Sequence, residues 1–329
     1  MRKLITLFGV FTALSMAAPR AAAGLSASGS HQDQCSSEAK VALYDSFLKH
    51  RQTDQPKAYD EAKRYLACPA GEVTEAQQKI IDYLKKFSSA YEEGMRKVRL
   101  IQLIYDEKKY AEAYQLARDV LAKEPDNLTL LVHLGANGYL VAPLNNQAFN
   151  AQALDYARRA LEQLESGKAV EDWKPLTGRE VAIAYLNYTI GALTLEKEPT
   201  TAVTHLIKAA QIETPLKKSP YTYAYIAGAY ETGDYKQQSE DYKRNFAGKD
   251  ETPESKLALA KIYEIADRMI DGYARAVALA GNDPRFVSPK SSWNESLATW
   301  YKFRNGSDAG MSELVANILT KPLPPMPVH

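Results

Sequence analysis

The chain has 329 residues, 45% hydrophobic and 25% charged, enough apolar material for one extended domain or two compact ones. Its 41 Lys and Arg face 40 Asp and Glu, and a formal net charge of +1 excludes the clustered positive excess of a nucleic-acid-binding stripe. With 17 glycines, 16 prolines and two cysteines, it is neither collagen-like nor low in complexity, and it has too few thiols for a disulfide-dense scaffold or an all-cysteine zinc site.

At the N-terminus Arg2 and Lys3 precede an apolar run over 4–18, followed by small residues at Ala21 and Ala23. That order predicts a secretory signal peptide over 1–23, with a second small-residue cut site at 15–17. About 15 apolar residues are too few for a membrane anchor across roughly 30 Å of hydrocarbon. Cleavage before Gly24 removes Arg2, Lys3 and Arg20 and lowers the net charge from +1 to about −2. The expected mature protein begins with a flexible stretch over 24–34, has no integral membrane segment and is exported, periplasmic or secreted.

Export changes what Cys35 and Cys68 mean, because two thiols in an oxidising compartment pair more readily than they catalyse. The sequence over 36–50 predicts a helix with Ala39, Leu43, Phe47 and Leu48 on one side. After a polar turn, Pro56 opens a second helix that stops before Pro69. An antiparallel hairpin brings the start of its first helix beside the end of its second, where both cysteines lie. A disulfide closing about 33 residues would add roughly 3–4 kcal/mol in the chain-entropy picture. This N-terminal hairpin region is expected over 35–94.

Beyond it nearly every segment has helical periodicity, and the predicted fold class is all-α. Capping-box spacing marks helix starts at Thr74 with Gln77, Thr177 with Glu180 and Ser292 with Glu295, and Thr252 stands before a first-turn proline, Pro253. The short alternation over 221–225 runs directly into 226–230, which suits a helix.

Internal similarity is more informative. The stretch 110–127 carries a small residue at Ala113, an apolar pair at Val120 and Leu121 and an exit proline at Pro125. It resembles the second helix and exit turn of a tetratricopeptide repeat, with Leu100, Ile101 and Ile104 in the packing positions of the first helix. A second unit pairs Leu131, Leu134, Gly135 and Gly138 with Ala153, Ala157, Ala160 and Leu161; a third pairs Leu186, Ile190 and Leu193 with Ala202, Leu206, Ala209 and Ala210. A fourth begins with Tyr223, Ile226, Ala227 and Tyr230 and continues to a degenerate helix near Ser239 and Tyr242. Ala258, Ile262 and Ile265, then Met269, Tyr273, Ala276, Val277 and Leu279, are expected as one more pair. Spacings of 40 and 49 residues between Ala113, Ala153 and Ala202 place the extra length in loops at 142–150 and 166–178.

The resemblance implies an α-solenoid of tetratricopeptide-like hairpins, a right-handed superhelix, over 95–281. Amphipathic segments bearing Trp293, Leu297, Trp300, Tyr301 and Phe303, then Leu314, Val315, Ile318 and Leu319, are expected to cap it over 282–320. The proline-rich tail, 321–329, is expected as a frayed terminus, with the alternative that it is a ligand for a partner domain.

Catalytic patterns are missing from the sequence. His31 and His329 fall in terminal stretches, His50 ends a helix, and His133 and His205 lie inside repeat helices. There is no metalloprotease, nucleophile-elbow, phosphate-loop or dinucleotide motif. Glu92 with Glu93 and Asp106 with Glu107 are sequence neighbours, which point in different directions on a helix. No catalytic residue, cofactor or metal is therefore expected. Tyrosine is over-used, with 21 residues against 8 phenylalanines, and serves either repeat packing or a binding face. In tetratricopeptide domains the first helix of each pair builds the inner surface. By that resemblance the candidate partner-binding residues are Gln102, Tyr105, Ala136, Tyr139, Asn187, Tyr221 and Glu231. The implied function is an exported scaffold that holds a protein or peptide on its concave surface. The alternative is a cell-envelope module for a small molecule or glycan, with Trp293, Trp300 and Tyr301 stacking on sugar rings.

Overall fold

The computed structural model describes residues 35–69, 73–140, 149–170 and 172–325. The expected signal peptide over 1–23, the stretch 24–34, nearly all of the 142–150 loop and the tail beyond 325 lie outside the described residues. Among the described residues all regular structure is helical, and no helix is long and apolar enough to cross a membrane. Contacts divide the chain into two compact units, Met1–Tyr91 and Glu92–His329.

The first unit follows from its local signals. Ser36 caps α1 (Ser37–His50) by accepting from the Ala39 amide at 3.1 Å, and Asp54 caps α2 (Gln55–Ala67), with Pro56 in its first turn. Cys35 and Cys68 form a disulfide with Cα atoms 5.4 Å apart, tying the start of α1 to the end of α2. Helix α3 (Glu75–Tyr105) starts at the Thr74–Gln77 capping pair, where the Thr74 amide reaches Gln77 Oε1 at 3.0 Å. Its N-terminal part adds Leu84 to a core of Phe47, Ala58, Ala62 and Tyr65. Phe47 is the centre of that core, its ring edge-on to Phe87 at 4.9 Å and to Tyr83 at 5.7 Å.

The second unit is a succession of helices in which chain neighbours pack on one another. In order they are α4 (Tyr110–Lys123), α5 (Leu128–Ala136), α6 (Asn150–Glu165), α7 (Arg179–Thr194), α8 (Pro199–Gln211) and α9 (Pro220–Tyr230). Each helix from α5 to α8 packs against the next, and α5 also reaches α7. The small residues Ala153 and Ala157 on α6 and Ala202 on α8 are fully buried in this packing, as is Ala113 on α4. Gly135 marks the closest approach: a Cβ there would stand 2.6 Å from Leu186 Cδ2 and 2.7 Å from Ala157 Cα.

Downstream the structure departs from the expected repeat pairs. A π-helical turn, Glu231–Tyr235, joins α9 to α10 (Lys236–Phe246), but α10 buries no residue, and the packing partner of α9 is α11 (Pro253–Ala280). That helix is continuous over 28 residues, not two shorter ones, since Ala266, Asp267 and Arg268 contain no breaker. Its start is as expected: Thr252 Oγ1 accepts from the Ser255 amide at 3.2 Å in a capping box. Two other expected starts move. Helix α7 begins after Gly178 without a Thr177 cap, and α12 (Val287–Asn305) begins five residues before Ser292, which lies inside it. Helix α12, helix α13 (Met311–Asn317) and the turn Ile318–Thr320 then cover α11 through Leu297, Trp300, Leu314 and Ile318. The tail residues 321–325, expected to fray, lie against α11 and are hydrogen-bonded by Arg275 and Arg268.

Candidate functional site

In the second unit aromatic side chains of several helices form a nearly continuous series of rings. It starts at Tyr105, whose ring is edge-on to His133 at 5.5 Å. The Tyr105 hydroxyl is hydrogen-bonded to His133 Nδ1 at 3.0 Å and accepts from Asn137 Nδ2 at 2.9 Å. Tyr139 follows, stacked on Tyr185 at 6.2 Å and edge-on to Tyr188 at 5.0 Å. Tyr188 stacks on Tyr225 at 6.2 Å, Tyr225 meets Tyr221 at 6.0 Å, and Tyr221 meets Trp293 edge-on at 5.3 Å and Phe286 at 5.8 Å.

Local sequence explains the alignment. Tyr185 and Tyr188 are three apart on α7, and Tyr221 and Tyr225 are four apart on α9, so each pair shares a helix face. Tyr139 gets its place from Gly138. A Cβ at Gly138 would stand 2.7 Å from Thr189 Cγ2 and 2.9 Å from Ala153 Cβ, so only glycine lets the turn Gly138–Leu140 rest on α7. Thr189 Oγ1 then accepts from the Tyr139 amide at 3.3 Å.

The face is electrically quiet. Burial pushes the hydroxyls of Tyr105 and Tyr139 up to about 12 and raises Tyr185, Tyr188 and Tyr225 as well, so all stay neutral at physiological pH. His133, lowered to about 4 by burial, is neutral too. The rings thus offer flat apolar area and uncharged hydroxyls.

The seven candidate residues separate clearly. Tyr105, Tyr139 and Tyr221 belong to the ring series, with Tyr221 38% exposed, and Gln102 is exposed one turn before Tyr105. Glu231 lies elsewhere, in the π-helical turn, accepting from the Tyr273 hydroxyl at 2.7 Å. Ala136 and Asn187 are buried and offer a partner no surface. Asn187 instead bridges two helices, accepting from His205 Nδ1 at 2.7 Å and donating to the Ile183 carbonyl at 2.8 Å. Tyr185 and Tyr225, both half-buried, were not among the candidates, although their three- and four-residue spacing from Tyr188 and Tyr221 was a usable signal; Tyr188 itself is buried and packs between the rings. Trp300, a candidate sugar platform, is packed edge-on against Tyr235 at 4.5 Å and Phe303 at 5.8 Å.

One polar cluster has the composition of a catalytic triad without its geometry. Ser46 donates to Glu61 Oε1, and His50 Nδ1 lies 3.3 Å from Glu61 Oε2 and 3.4 Å from Ser46 Oγ. Both partners meet the same ring nitrogen, whereas a relay needs nucleophile and carboxylate on opposite nitrogens. Among the described residues no group of three His, Cys, Asp or Glu is placed to hold a metal ion.

No protein-family model, curated protein or solved structure matches the chain.

Proposed function

We propose that this protein is an exported, non-enzymatic α-solenoid of tetratricopeptide-like hairpins that binds an extended segment of another polypeptide along its aromatic face. The observation that carries this is the ring series from Tyr105 to Trp293, contributed by α3, α7, α9 and α12 and by the turn at Tyr139. Rigid rings with hydroxyl tips lose little conformational freedom on binding and offer both stacking area and hydrogen bonds to peptide groups. A neutral face suits an uncharged main chain better than a phosphate backbone, which requires clustered cations. A glycan is disfavoured because edge-to-face contacts interrupt the series, at 86° between Tyr139 and Tyr188 and 89° between Tyr221 and Trp293, so that the stacked pairs do not join into one broad platform. The Cys35–Cys68 disulfide supports export to an oxidising periplasmic or extracellular space, as does the basic and then apolar N-terminal segment.

The test is selection of binders from a displayed peptide library on the full chain, with a glycan array in parallel. The expected result is a set of peptides that bind one to one and weaken about tenfold or more when Tyr221→Ala removes an exposed ring. Glycan binding without peptide binding, or selected peptides indifferent to every ring substitution, would overturn the proposal.

A further inference from the structure

The C-terminal strand lies along α11 in a channel whose chemistry fits it closely. Lys321 has backbone angles of −89° and 145°, near polyproline II, and three of the next four residues are proline. A polyproline strand makes no internal hydrogen bonds, so its carbonyls need donors from outside while prolines bring no N–H of their own. Two arginines of α11 supply the donors. Arg275 Nη2 donates to the Lys321 carbonyl at 3.0 Å and the Pro322 carbonyl at 2.7 Å; Arg268 Nε donates to the Pro325 carbonyl at 3.1 Å.

The spacing of the clamp matches the strand. Arg268 and Arg275 are seven residues apart, about 10.5 Å of α-helix rise. Pro322 and Pro325 are three apart, one polyproline turn of about 9.3 Å. Running antiparallel to α11, the strand therefore presents a carbonyl to each guanidinium once per turn. The donors are fixed in advance. Arg275 is 5% exposed, held by Asp271 through Nε at 2.6 Å and Nη2 at 3.2 Å, and its guanidinium lies 5.8 Å from the centre of the Tyr223 ring. Arg268 is oriented by the Glu264 carbonyl at 3.1 Å and the Glu264 carboxylate at 2.8 Å. Leu323 is the strand's apolar anchor against the core around Tyr223.

Two cavities border the strand. A cavity of about 400 Å³ flanks Lys321 and Pro324 beside Arg268 and Asp271, and another of about 690 Å³ flanks Pro322 and Leu323 beside Arg275 and Lys217. We propose that this channel is a second peptide site, a groove for proline-rich segments in polyproline II conformation, and that the chain's own strand occupies it until a proline-rich segment of a partner polypeptide displaces it. The site is independent of the aromatic face.

The probe is a fluorescently labelled peptide with the sequence of residues 321–329, titrated by anisotropy into the full chain. In wild type the tethered strand competes at high effective concentration and binding is weak. Leu323→Glu expels the strand's apolar anchor and should tighten peptide binding about tenfold or more. Adding Arg268→Gln to that variant should remove most of the gain, whereas adding Tyr221→Ala should leave it intact. Circular dichroism checks that each variant is folded; Pro324→Gly, which loosens the strand without a buried charge, replaces Leu323→Glu if that chain is not. A folded variant with its strand expelled that binds the peptide no better than wild type, or binds it equally with and without Arg268, would overturn the proposal.

Discussion

The helix packing of the second unit is tested most sharply by adding one methyl group at Gly135. Its Cβ would stand 2.6 Å from Leu186 Cδ2, 2.7 Å from Ala157 Cα and 3.0 Å from Ala157 N. Carbon atoms rest at about 3.5–4.0 Å, so two contacts are short by about 1 Å. Leu186 is fully buried and has no free volume to rotate into, and Ala157 Cα is backbone, so α5 and α6 must separate. Overpacking of this kind costs about 1–3 kcal/mol, offset by about 1 kcal/mol of helix propensity gained over glycine. The net expectation for Gly135→Ala is a loss of up to about 2 kcal/mol. Gly228 on α9 is the control: a Cβ there meets nothing within 4 Å, so Gly228→Ala should keep the propensity gain and stabilise by about 0.5–1 kcal/mol. Urea unfolding followed by circular dichroism measures both, with the midpoint moving at constant slope. Equal effects of the same sign at the two glycines would refute the close crossing of α5, α6 and α7.

Reducing the Cys35–Cys68 disulfide should destabilise the Met1–Tyr91 unit by roughly 3–4 kcal/mol, read as an earlier melting transition; two thiols that alkylate freely in the native protein would contradict it. Burial lowers His133 to about 4, from an unfolded value near 6.5, and His205 in the same direction, with Lys208 adding to the effect. Each is therefore neutral in the fold. Stability is full above pH 6.5 and falls as pH drops toward 4, by about 3 kcal/mol for His133, in urea midpoints measured across that range. Tyr105 and Tyr139 lose stability on the alkaline side, as pH rises from about 10 toward 12, and their tyrosinate absorbance should appear late in a titration. Arg275→Met leaves the Asp271 carboxylate buried without its partner and should cost about 3–5 kcal/mol in chemical denaturation, and Asp271→Asn, which leaves the still more buried Arg275 cation without its counter-ion, should cost a comparable amount.

Local signals made much of the fold legible. Ser36, Pro56, Thr74 and Thr252 each mark a helix start because capping is settled within four residues, and the hairpin they define brings Cys35 to Cys68. Thr177 and Ser292 misled for the same reason: capping spacing occurs by chance, and tertiary packing started α7 later and α12 earlier. The choice of α11 over α10 as the partner of α9 was invisible locally, since it depends on what each helix can bury. Tyr105, Tyr139 and Tyr221 were within reach of the repeat pattern, but the register that buries Asn187 and Ala136 was not. The tail on α11 was missed because Arg275 and Pro322 are 47 residues apart, and a polyproline strand carries no periodic signal that names its donors.

The claim that the aromatic face holds a polypeptide is tested most directly by fluorotyrosine resonances, assigned by substitution and followed while a library-selected peptide is titrated into the full chain. Tyr139, Tyr185, Tyr221 and Tyr225 should shift together and saturate at one equivalent, while Tyr44 and Tyr59 in the first unit stay fixed. Saturable binding that leaves those four resonances unmoved would place the partner elsewhere and contradict the account.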